Sequence, residues 1–137
     1  MWANIWAAVS ALATVATFVV ALLAMNRWSK QDELKVKLEF KLAVSAYAYC
    51  LVSLPGKLSP KSVKIANEDM SDELTDLLAK ATHAWFATEG LLDSNKPVSD
   101  AWEYICYNHK FFVSGICDSN GIHENCSIIM GEKFVFK

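Results

Sequence analysis

The sequence predicts a mostly all-α protein: one N-terminal transmembrane helix, then a small domain of about three helices, with a possible β-hairpin at the C-terminus. Three observations predict this. Residues 1–25 carry no charged side chain. Residues 29–54 contain neither Pro nor Gly. Two later stretches repeat apolar residues at the 3.6-residue period of an amphipathic helix.

The first stretch, MWANIWAAVSALATVATFVVALLAM, is followed at once by Asn26-Arg27-Trp28-Ser29-Lys30. At about 1.5 Å per residue, a helix from Ala7 to Arg27 spans roughly 30 Å, the thickness of a bilayer core. Trp2 and Trp6 mark one end and Arg27, Trp28 and Lys30 the other, which is where interfacial aromatics and cations are expected. A cleaved signal peptide needs a basic start and a shorter apolar run, and a chain of 137 residues builds only a modest core in which to hide such a helix. The expected division is therefore a transmembrane helix over 1–26 and a helical domain over 27–137.

Orientation follows from the flanks. Arg27, Lys30, Lys35, Lys37 and Lys41 lie after the span, and no Lys or Arg lies before it. Cations beside a span stay on the cytoplasmic side. The expectation is a single-pass inner-membrane protein with its N-terminus outside and residues 27–137 in the cytoplasm. Its four cysteines, Cys50, Cys106, Cys117 and Cys126, would then be reduced. A net charge of −2 says little about partners, but there is no basic tract of the kind that binds nucleic acid, and no nucleic-acid partner is expected.

The next element continues the first. Leu34 to Leu42 alternates apolar and charged residues, as a strand does, but continuity with the span and the Ala-rich run that follows favour helix. On a helix, Val36, Phe40, Ala43, Tyr47, Leu51 and Leu54 form one face, with Leu34, Leu38 and Leu42 beside it. Pro55-Gly56 ends it. Residues 55–70 read as a loop. A second helix is expected from Ser71 as N-cap, with Asp72 and Glu73 favouring the helix dipole, and Leu74, Leu77, Leu78, Ala81, Trp85 and Thr88 as its stripe. A third is expected from Ser99 or Asp100, with Trp102, Ile105, Cys106, His109, Phe112 and Val113 facing inward and Gly115 as its stop. Asp118-Ser119-Asn120-Gly121 reads as a turn, and residues 127–137 as a hairpin around Gly131-Glu132.

Catalytic chemistry finds little support. Cys106, His109, Cys117, His123 and Cys126 include a C-x2-H and an H-x2-C pair, ligand types that close tetrahedral zinc sites. Their spacing matches no standard finger, so the expectation is no metal and no cofactor. His83 reads as a partly buried helix residue. The carboxylates Glu68, Asp69, Asp72, Glu73 and Asp76 sit at a helix start, where they are solvated rather than catalytic. All five glycines are isolated, which excludes a phosphate-binding loop. The single Arg has no His near it, so the Arg–His pairing of helical nucleases is missing. Within the span, Ala13, Thr17 and Ala21 lie four apart, a spacing that lets helices approach in lipid, but no Gly accompanies them and a lone anchor is expected. No ionisable residue lines the span, which argues against an ion pathway.

From Trp28 to Leu58, WSKQDELKVKLEFKLAVSAYAYCLVSLPGKL, the chain resembles a loose group of uncharacterised single-span bacterial and prophage-encoded inner-membrane proteins. They share one N-terminal span, a Trp and a Gln-Lys-rich juncture, and a long helix ending at a Leu-Pro turn. The resemblance implies a membrane-anchored helical domain and no chemistry. The functional expectation is a non-enzymatic module at the lipid bilayer that binds a protein partner or its own copies as a homo-oligomer. The alternatives are a membrane effector of phage–host conflict, acting in exclusion or abortive infection, and a membrane-tethered zinc- or cysteine-dependent enzyme.

Overall fold

A computed structural model describes residues 2–58 and 68–134. Its order is α1 (Trp2–Ser53), α2 (Glu68–Ala87), α3 (Lys96–Val113) and α4 (Asn120–Gly131), with no strand among the described residues. The chain divides into two compact units, Met1–Glu33 and Leu34–Lys137.

The ambiguous stretch 34–42 is helical. Lys35 and Glu39 fall on the outside of α1 and Lys37 and Lys41 are half-buried, Lys41 donating to the Glu132 carbonyl at 2.9 Å, while Phe40, Val44, Tyr47, Ala48, Cys50, Leu51 and Leu54 are buried. The expected face is correct at Phe40, Tyr47, Leu51 and Leu54, but Val36 and Ala43 are only half-buried, and Leu38 and Leu42 face outward. Leu74 and Ala81 from α2, a row from Val98 to Phe112 on α3, and Ile122, Cys126 and Ile129 from α4 complete the core. Its centre is aromatic. The Phe40 ring lies 5.1 Å from Trp85 and meets Trp102 edge-on at 5.2 Å, and the two indoles stack at 6.0 Å. One ring comes from each of α1, α2 and α3, so the three side chains fasten three helices with geometry that aromatic quadrupoles favour.

Several expectations are corrected here. Residues 127–131 belong to α4 and form no hairpin strand; Glu132–Phe134 follow without regular structure, and 135–137 lie outside the described residues. Ile122, Cys126 and Ile129 repeat at helical spacing and seat α4 against α3, which outweighs the Asn-Gly and Gly-Glu turn signals. The domain therefore holds α4 in addition to the three helices expected. Ser71 is not an N-cap: α2 is already helical at Glu68, and Ser71 is a buried residue within it. Likewise α3 begins at Lys96, ahead of the start expected at Ser99 or Asp100, and Pro97 sits in its first turn, where a missing N–H costs nothing.

The stop at Gly115 is as expected. Gly115 has φ 71° and follows the C-cap Ser114. Its N–H donates to the Phe112 carbonyl at 2.9 Å, and the Ile116 N–H donates to Phe111 at 2.8 Å. That pair of bonds is a Schellman motif, which satisfies carbonyls that the helix end leaves open.

Candidate functional site

Two features of the structure invite a functional reading: the bare first half of α1 and a polar chain inside the bundle. The first is the more extensive. Ile5, Val9, Leu12, Val15, Phe18, Val19, Leu22 and Leu23 point to all sides of the helix and are all exposed. Among the described residues α1 is the one helix long and apolar enough to cross a membrane, and none of its most apolar 18-residue window is buried. Its two threonine hydroxyls in this stretch are turned inward on the backbone: Thr14 donates to the Ser10 carbonyl at 2.9 Å and Thr17 to that of Ala13 at 2.8 Å. Such bonds remove the cost of carrying a hydroxyl through an apolar medium. Trp2 and Trp6 at one end, and Arg27, Trp28 and Lys30 at the other, are all exposed.

The polar chain runs through His109. The Thr75 hydroxyl donates to the Ser71 carbonyl at 2.9 Å, so its oxygen is free to accept from His109 Nε2, 3.4 Å away. With Nε2 carrying the proton, Nδ1 accepts from the Tyr47 hydroxyl at 3.0 Å. Three helices are linked, and the direction of each bond follows from the one that the Thr75 hydroxyl makes with its own helix. Tyr47 is fully buried and His109 nearly so, whereas Thr75 reaches the surface. Burial lowers the His109 pKa and raises that of Tyr47, so both are neutral. The chain thus satisfies polar groups inside an apolar core, and no buried side-chain nitrogen or oxygen among the described residues lacks a partner.

The cysteines and histidines of the zinc candidate set are not brought together. His109 spends both ring nitrogens on Tyr47 and Thr75. Cys126 is buried, Cys117 half-buried, and Cys106 and His123 are exposed. No group of three or more His, Cys, Asp or Glu among the described residues is placed to hold a metal ion. Cys106 therefore does not lie on the buried stripe of α3, contrary to expectation, and His83 is exposed on α2 rather than partly buried. All four thiols are held neutral. Burial pushes Cys126 up to about 12, and the surrounding protein pushes Cys106 up to about 11 although its side chain reaches the surface. Burial also raises Cys50 and Cys117, helped by the carboxylates of Glu73 and Asp118 respectively. A cysteine nucleophile needs the opposite shift.

The Tyr47–His109 pairing escaped sequence reasoning because the two residues lie 62 positions apart. The only available signal was that both fall on the apolar faces of their helices. No protein-family model, no curated protein and no solved structure matches the chain.

Proposed function

We propose that the chain is a single-pass membrane protein whose helical body serves as a protein-interaction or self-association module. The observation that carries this reading is the contrast within α1: none of its most apolar 18-residue window is buried, while Phe40 to Leu54 supply a complete core face. Water does not tolerate a helix that is apolar all round and uncovered, but lipid does. The belt of Trp2 and Trp6, and the Arg27, Trp28 and Lys30 cluster, support the same assignment. The five cations from Arg27 to Lys41, with none before the span, support an outside N-terminus and a cytoplasmic body at the inner membrane.

The body is read as a binding module because its polar interior is structural. His109 is fully engaged, the thiols are neutral, and exposed apolar side chains remain on α1 at Leu42, Tyr49 and Val52. Extraction of membranes at alkaline pH tests the anchor. The full chain is expected in the pellet, and a variant lacking residues 1–26 in the supernatant. A full chain released by carbonate would overturn the reading.

A further inference from the structure

We propose that a second copy of this chain docks, in parallel, on the outward stripe of α1 formed by Leu38, Leu42, Ser45, Tyr49 and Val52. The inference rests on the membrane reading above and adds the partner and the surface.

Four of these residues are large and apolar, and all four are exposed, Leu42 at 70%, Tyr49 at 80% and Val52 at 64%. They do not scatter. Positions 38, 42, 45, 49 and 52 are separated alternately by four and three residues, the seam of a coiled coil. The face opposite them, with Phe40, Val44, Tyr47 and Leu51, is spent on the bundle core. Leu38, Leu42, Tyr49 and Val52 thus stay exposed on a second face, with Ser45 half-buried between them, where Leu42, Ser45 and Tyr49 border a groove shared with Met70, Glu73 and Leu77 of α2.

Three further observations select a second copy as the occupant of this face. First, the same count carried back along the sequence passes through 35, 31, 28, 24, 21, 17, 14 and 10. Ser10, Thr14, Thr17 and Ala21, with Ala13 and the larger Phe18 beside them, line a shallow groove on the first part of α1, and small residues are what packing between helices in lipid requires. One register thus places large apolar residues on the water-exposed part and small ones on the apolar part. Second, copies inserted by the same flanking charges must run parallel, so the stripe of one meets the identical stripe of the other at the same height. Third, in that register Arg27 precedes the seam residue Trp28 and Asp32 follows the seam residue Gln31. A parallel pair then sets each Arg27 against the other copy's Asp32, the pairing of flanking positions in parallel coiled coils. Both side chains are exposed. Gln31 and Lys35 occupy the seam at the juncture; polar residues there weaken a coiled coil but fix its register.

Disulfide scanning of the full chain in isolated membranes tests the proposal. Leu42→Cys, Ser45→Cys and Tyr49→Cys are compared with Asp76→Cys and Lys80→Cys, exposed positions on α2, each in a Cys106→Ser background to remove the exposed native thiol. Mild oxidation is expected to give strong dimer bands at 42, 45 and 49 and weak ones at 76 and 80. Adding Leu42→Glu to Tyr49→Cys is expected to cut the dimer band about tenfold or more, with helicity by circular dichroism unchanged. Equal cross-linking at all five positions, or none at 42, 45 and 49, would overturn the proposal, including the case in which a different protein covers the stripe. The membrane reading is scored separately by carbonate extraction of the same samples: a chain that stays in the pellet without cross-linking at the stripe is an anchored protein that does not pair there.

Discussion

Residues 5–23 and residues 40–54 of α1 are both rich in large apolar side chains, yet they behave oppositely. In the first stretch Leu12, Val15 and Phe18 are exposed and lie on different sides of the helix. In the second, Phe40, Val44, Tyr47 and Leu51 are buried on one face, and Lys35, Glu39 and Leu42 lie outside it. The difference does not lie in charge alone, since residues 40–54 carry only Lys41: there one face packs into the bundle core and is buried, whereas none of the most apolar 18-residue window of α1 is buried. A helix that is apolar on every side and uncovered is suited to an apolar surrounding.

Substitutions of equal chemistry in the two stretches should break the symmetry. Phe40→Ala removes the ring that touches both Trp85 and Trp102, and a fully buried Phe lost to Ala costs about 3–5 kcal/mol. Phe18→Ala, at an exposed site, should leave the denaturation midpoint of the bundle unchanged. Comparison of both variants in detergent, followed by Trp fluorescence, checks the pair. A charge inverts the contrast. Val15→Lys should impair membrane insertion by about 2.5–3.5 kcal/mol, lowering the carbonate-resistant fraction, while an added Lys at exposed Leu42 should not.

Smaller effects sharpen the account of the bundle. Gly115→Ala forces a Cβ into the left-handed region at φ 71° and should cost about 1–2 kcal/mol in equilibrium unfolding. The smallest effect concerns pH. His109 is held neutral by burial, so its pKa is lower folded than unfolded. Its contribution to stability is complete above about pH 6.5, and it declines as pH falls below that value, because the unfolded chain then binds the proton first. The midpoint of urea unfolding should drop between pH 7 and pH 5, and His109→Gln should flatten that part of the profile.

Much of this fold was legible in the sequence, for identifiable reasons. The long apolar first part of α1 rests on 25 residues without a charge, the core face of α1 and the stripe of α2 rest on periodicity sustained over several turns, and the end of α3 rests on a single Gly in the one conformation that favours it. The start of α3 was misplaced because Pro97 is equally at home in a loop and in a first turn. Helix α4 was missed because Asp118-Ser119-Asn120-Gly121 reads as a turn, Gly131-Glu132 as the bend of a hairpin and Ile128-Ile129-Met130 as a strand, whereas tertiary packing through Ile122, Cys126 and Ile129 decides the matter. The Cys and His residues near the C-terminus looked like a ligand set only while their neighbours were unknown. Once Tyr47 and Thr75 occupy the His109 ring, the set dissolves.

The central claim is that residues 2–26 cross the membrane and leave the body in the cytoplasm. Labelling of Cys106, whose side chain is exposed, with a membrane-impermeant maleimide tests it most directly, at mildly alkaline pH so that enough of its raised-pKa thiol ionises. Cys126, fully buried, is unsuitable as a reporter. The account predicts no labelling of Cys106 in intact cells and labelling once the cells are lysed. Labelling in intact cells would place the body outside and contradict it.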